Sequence, residues 1–90
     1  LQSKNKKSIR EAERQHIQAV KELPCIVCDA PPPTECHELD QGQWFTSLSL
    51  CADCHRGSFN GIHGQKRIWS VKKLDELSAL NLQIERMFYS

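Results

Sequence analysis

Two Cys-x-x-Cys pairs, Cys25-Ile26-Val27-Cys28 and Cys51-Ala52-Asp53-Cys54, stand 22 residues apart. Nothing else in the chain restricts its fold so much. Two thiolates three positions apart reach one ion from a tight knuckle, and a second pair closes the tetrahedron around zinc. A site closed by four cysteines leaves no position for substrate and is structural. It also answers a problem of size. Ninety residues make one domain with a marginal core, which a metal commonly staples. Structural zinc in small fingers is worth roughly 10–16 kcal/mol at neutral pH. A pair of disulfides or a thioredoxin-like redox pair would leave two matched knuckles unexplained. Cys51-x-x-Cys54-His55 is also the attachment signature of a c-type haem. That reading gives Cys25 and Cys28 no role and has only Met87 as a thioether axial ligand, so no haem is expected.

The compartment follows from the same cysteines. No apolar run is long enough to span a membrane or form a signal-peptide core, so no membrane partner is expected. Clustered cysteines without an export signal point to a reducing compartment, the cytoplasm. The chain starts at Leu1 and reads as a domain of something longer. Its net charge of +1 does not by itself announce a nucleic-acid protein. The charge is clustered, however. Lys4, Lys6, Lys7 and Arg10 make a basic N-terminal end, and Lys66, Arg67, Lys72 and Lys73 a second group. A basic arm can contact phosphates, and a solvated surface is the alternative for each group.

Along the chain, residues 8–23 carry a helical pattern. Ser8 and Glu11 suggest a capping box, Ile9, Ala12, His16, Ala19, Val20 and Leu23 recur at helical spacing, and Pro24 ends it. His16 on that stripe reads as a packing residue. Residues 34–39 and 45–50 are short strand candidates joined by a turn at 40–43. A helix is expected from about Ala52. Residues 57–61 read as a flexible glycine-rich segment leading to His63. Helical period returns from Ser70, with Val71, Leu74, Leu77 and Leu80 on one face. Ile84, Met87 and Phe88 continue it beyond Asn81, expected as a left-handed cap between two short helices. The expected fold class is α+β.

With four cysteines assigned to zinc, Cys36, His37, His55 and His63 remain. Neighbours on a strand face opposite ways, so Cys36 and His37 cannot both serve one ion unless the strand is distorted. The order C-x-x-C, a strand carrying Cys36-His37, then a strand running into C-x-x-C-H resembles the HNH (ββα-metal) nucleases over residues 25–63. PCIVCDAPPPTECHE and FTSLSLCADCHRGSFNGIHGQKRIW are similar, more closely, to the Ref (recombination enhancement function) proteins of enterobacterial phages, which are RecA-dependent HNH endonucleases.

The resemblance implies a small zinc-stapled HNH fold with an N-terminal helix and C-terminal helices. Residues 1–7 would be the basic stub of a longer arm and 8–90 one nuclease domain. Within it, 8–23 form the helix, 24–63 the zinc knuckle and ββα core, and 64–90 the C-terminal helical part. His37 would be the general base, with Cys36, His55 and His63 as ligands of a second, catalytic-site metal. A thiolate ligand favours Zn²⁺ there, with Mg²⁺ or Mn²⁺ as alternative working ions. The implied partners are DNA and the RecA filament, and the implied setting is a phage protein in the bacterial host cytoplasm. Arg56, Lys66, Arg67 and Lys4, Lys6 and Lys7 are the candidate DNA contacts. Trp44 and Trp69 could stack on bases, though core packing is the expectation. Glu38 and Asp40 read as turn carboxylates. The family's middle Asn, which orients the base, would fall near Thr46 or Ser47, where the chain has none, and Asn60 reads as a turn residue. A treble-clef zinc module that binds DNA or protein without cleaving shares the four-cysteine site and is the competing expectation.

Overall fold

The computed structural model describes residues 8–89. Lys4, Lys6 and Lys7 of the expected basic stub lie outside the described residues. The first helix, α1, spans Glu11–Lys21, shorter than the expected 8–23. The Glu13 carboxylate accepts from the Arg10 N–H at 2.8 Å, so the cap lies two residues beyond the Ser8–Glu11 box. Acidic Glu11 and Glu13 open the helix and Lys21 closes it, as the helix dipole favours. Thr34 seals the far end. Its N–H donates to the Lys21 carbonyl at 2.9 Å, and its hydroxyl reaches the Leu23 carbonyl at 3.0 Å.

The chain then turns through the first cysteine knuckle. Cys25 N–H donates to the Ala30 carbonyl at 2.9 Å and Asp29 N–H to the Cys25 carbonyl at 2.8 Å. Asp29 takes a positive φ of 67°, a conformation that Asp and Asn tolerate better than most residues.

Strands β1 (Glu35–Glu38) and β2 (Ser47–Leu50) form an antiparallel pair with Cys36 opposite Ser49 and His37 opposite Leu48. Gly42 sits in the connecting turn at φ 86° and donates its N–H to the Glu38 carboxylate at 2.6 Å. All four residues of β2 are buried, which leaves the backbone on its other edge in need of partners. Gln83 supplies two. Its carbonyl oxygen accepts from Ser49 N–H at 2.8 Å, and its amide donates to the Ser47 carbonyl at 2.8 Å. Ile26 N–H completes the edge on the Ser49 carbonyl at 2.9 Å. A glutamine and the knuckle thus stand where a third strand would run.

Helix α2 (Ala52–Arg56) follows directly, capped by the Cys51 sulfur, which accepts from Cys54 N–H at 3.4 Å. The segment after it is close-packed rather than flexible. A Cβ on Gly61 or Gly64 would collide with the Gly57 carbonyl, so this path requires glycine for close approach. Helix α3 (Arg67–Val71) buries Trp69 to 1% exposure, and its indole N–H donates to the Cys54 carbonyl at 3.1 Å. Trp69 is therefore core, and Trp44 is half-buried.

The break in the C-terminal helical part lies at Lys73, with φ 56°. Asn81 sits inside α4, which runs unbroken from Glu76 to Tyr89. Asp75 and Ser78 cap α4 reciprocally, at 2.8 and 3.0 Å, and this local signal moves the helix start past the expected face. Val71 and Leu77 are consequently 79% and 72% exposed, while Ala79 and Gln83 are buried. The result is a small α+β unit. Its core gathers Ile26, Val27, Leu48, Leu50, Trp69 and Ala79 around Cys25 and Cys54. Among the described residues, no helix is long and apolar enough to cross a membrane.

Candidate metal centres

The first cluster joins the two knuckles. Ligand atoms of Cys25, Cys28, Cys51 and Cys54 all lie within 4.8 Å of one another, and the Cys28 and Cys51 sulfurs are 3.6 Å apart. Sulfurs on a tetrahedral zinc, each at about 2.3 Å from it, stand roughly 3.8 Å apart. The donor set therefore fits a structural ion. All four cysteines are free thiols, with Cys25 and Cys54 fully buried.

The electrostatics of the cluster suit a cation. Burial pushes the Cys54 thiol far up, and the neighbouring sulfurs add to this. Burial also raises Cys28. Cys25 shifts the other way. Burial opposes its ionisation, but backbone N–H groups around Cys28, Cys51 and Val27 favour its thiolate and win. Ionisation is thus eased at Cys25 and opposed at Cys28 and Cys54. A divalent ion would remove that opposition.

The second cluster is made of histidines. Ligand atoms of His37, His55 and His63 also lie within 4.8 Å of one another. Their ring centroids form a near-equilateral triangle with sides of 5.0, 5.1 and 5.2 Å. Three elements converge to build it. β1 carries His37, which is 7% exposed. α2 carries His55, one position after Cys54 of the four-cysteine cluster. The close-packed loop delivers His63, with Ile62 N–H on the Cys54 carbonyl at 2.8 Å and His63 N–H on the His55 carbonyl at 3.4 Å.

Two carboxylates back this triangle. Glu76 Oε2 lies 2.6 Å from His37 Nε2, and Glu35 Oε1 lies 2.7 Å from His55 Nδ1. Such carboxylate–histidine pairs fix ring orientation and tautomer beside metals. Arg56 also hydrogen-bonds Glu35, with Nε at 2.9 Å. These Arg56 bonds, with His55 second, hold the Glu35 carboxyl down at about 2. The carboxylate thus stays ionised at any pH where the site would operate.

Cys36 does not join the histidines. It is absent from their cluster, and the strand alternation that separates it from His37 is intact. Its thiol meets Ser47 and the field of Lys21 instead, and burial pushes it up. Of the expected ligands, His55 and His63 therefore converge with His37, and Cys36 stands apart from them. Accordingly, Cys36→Ser is expected to keep the metal content of the parent chain, counted per chain by elemental analysis. A lost ion would make Cys36 a ligand after all.

The remaining candidates fall into place individually. Arg56 is exposed but committed to Glu35. Lys66 and Arg67 are exposed, and the Arg67 guanidinium sits over the Phe59 ring, 4.9 Å from its centroid. Glu38 serves the turn, Asp40 is exposed within it, and Asn60 donates to Asp53 at 2.9 Å. His16 packs against Phe45 at 5.2 Å between ring centroids. The hydroxyls of Thr46 and Ser47 donate to the Gln43 and Trp44 carbonyls, at 3.1 and 2.7 Å, and so are occupied within the turn. Glu35 and Glu76 were not among the sequence candidates. Alternation alone puts Glu35 on the His37 face, whereas nothing local marks Glu76.

No protein-family model matches the chain, and no curated protein or solved structure matches it significantly.

Proposed function

We propose that the chain is a metal-dependent DNA endonuclease of the HNH type, hydrolysing phosphodiester bonds in RecA-coated DNA. The observation that carries the catalytic part is the convergence of His37, His55 and His63 beside a four-cysteine staple. DNA and RecA as partners rest on the resemblance of the sequence to Ref proteins.

In this reading His55 and His63 hold the ion and His37 acts on water. A neutral imidazole carries one lone pair that can take a proton from water. Without Cys36 the ion keeps its full positive charge, since both ligands are neutral. It also loses the thiolate that favoured zinc specifically. Imidazole still suits Zn²⁺, and the open positions suit Mg²⁺ or Mn²⁺ in water. When bound, the ion supplies positive charge to the scissile phosphate. The four-cysteine site has the opposite character, because four thiolates outweigh a divalent cation and repel phosphate. Of the candidate DNA contacts, Lys66 and Arg67 are exposed and would meet the DNA backbone.

The rival reading, a non-catalytic zinc module, needs the cysteine cluster only. Two measurements separate them. Elemental analysis should find two ions per chain for the nuclease and one for the module. Circular DNA incubated with the chain, divalent metal and RecA filaments should be nicked. A chain with one ion and no nicking under these conditions is the binding module.

A further inference from the structure

The HNH pattern uses an Asn to orient its base, and this chain has none at that place. Thr46 and Ser47, which stand there, turn their hydroxyls back into the hairpin turn. We propose that Glu76, in the first turn of α4, fills that role: its carboxylate holds the His37 ring so that Nδ1 is the proton-accepting atom. This rests on the reading of His37 as the base.

The assignment follows from donor and acceptor chemistry. A carboxylate only accepts, and a neutral imidazole has one N–H and one lone pair. With Glu76 Oε2 2.6 Å from Nε2, the proton belongs on Nε2 and the lone pair on Nδ1. Among the described residues, no hydrogen bond reaches His37 Nδ1. The ring is buried in the strand, with its side chain 8% exposed against 39% for Glu76. A carboxylate in this position fixes tautomer and orientation, and stabilises the imidazolium that forms on proton transfer. The step then balances. Water gives a proton to Nδ1, its oxygen bonds to phosphorus, and the bond to the 3′ oxygen breaks. That oxygen leaves as an alkoxide and is protonated by solvent, while the imidazolium returns its extra proton to solvent.

A first-turn glutamate is also favoured by the helix dipole alone. That role asks for no histidine. α4 has its own cap in Asp75 and Ser78, so Glu76 can be exchanged with the cap intact.

The test uses the metal-loaded chain with RecA filaments and compares Glu76→Gln, Glu76→Ala and His37→Ala. Glu76→Ala should lower kcat by about 10²-fold, within the range of positioned acid–base help, with KM for DNA and ions per chain unchanged. Glu76→Gln, which keeps the acceptor and loses the charge, should fall between it and the parent. Long-range ¹⁵N–¹H spectra should show His37 protonated at Nε2 in the parent and a mixture of tautomers in Glu76→Ala. Parental kcat in Glu76→Ala, beside an inactive His37→Ala, would overturn the role of Glu76 and spare the base. A parent ring protonated at Nδ1 would overturn it as well. Parental cleavage by His37→Ala would remove the base itself, and Glu76 with it.

Discussion

Chelating the metal should unfold this chain outright. Removing structural zinc forfeits roughly 10–16 kcal/mol at neutral pH, and whole domains are stable by only about 5–15 kcal/mol. Here the apolar reserve is small. Two of the eight buried residues of the core are Cys25 and Cys54, so an ion held by the four cysteines would sit inside the packing. Without it, thiols whose ionisation burial already opposes would be left crowded together. The expected result with a strong chelator is loss of far-ultraviolet helical signal and of amide dispersion in NMR spectra. Restored zinc should bring both back. Cys54→Ser should behave like the chelated chain, since it removes a candidate ligand sulfur and leaves a hydroxyl in the core. Cys36→Ser, which replaces the one cysteine outside the cluster, should melt close to the parent. A cooperative melt surviving in chelator would show that the packing suffices alone.

On the nuclease proposal, His37→Ala should lose cleavage by about 10²–10⁴-fold, the usual contribution of a positioned acid or base, while keeping its fold and the ions bound by the parent. The structural cost is modest. His37 is buried, but its partner Glu76 is open enough to be hydrated when the ring is gone. A half-satisfied polar group costs about 1–3 kcal/mol when fully buried, so a zinc-stapled chain should tolerate it. His55→Ala and His63→Ala are expected to differ in kind: each should release the second ion. Nicking assays run beside metal counts separate the roles. Loss of the ion in His37→Ala would make that ring a ligand rather than a base.

How much of this was legible in advance varies by element, for physical reasons. The cysteine array announced its cluster because ligand spacing is a short-range property of two knuckles. His37, His55 and His63 were visible as residues, but their grouping depends on how β1, α2 and the 57–66 loop pack. Strand alternation, which separates Cys36 from His37, is readable from sequence, and the Cys36 thiol lies outside the histidine cluster. Glycines 57, 61 and 64 looked like flexibility because sequence shows missing side chains and not the backbone that fills their place. The C-terminal pattern misled for a similar reason. Leucine spacing suggested one face, yet Asp75 and Ser78 set the helix start, and a polar residue, Gln83, took the buried position by completing the edge of β2. Glu76 lies 39 residues beyond His37, a separation no local rule bridges.

Cys54 and His55 are consecutive on a helix of five residues, so ions bound at the two clusters would be thermodynamically linked. An ion can enter the histidine triangle only in molecules where α2 already exists, and α2 is organised by the cysteine site. If only a fraction of chains is folded, the dissociation constant at the second centre rises by the inverse of that fraction. Linkage is reciprocal: filling the histidine centre must in turn tighten the cysteine one. A metal titration of the unfolded chain should therefore be sequential and positively cooperative, and zinc scarcity would act on the second centre before any of its own ligands is touched.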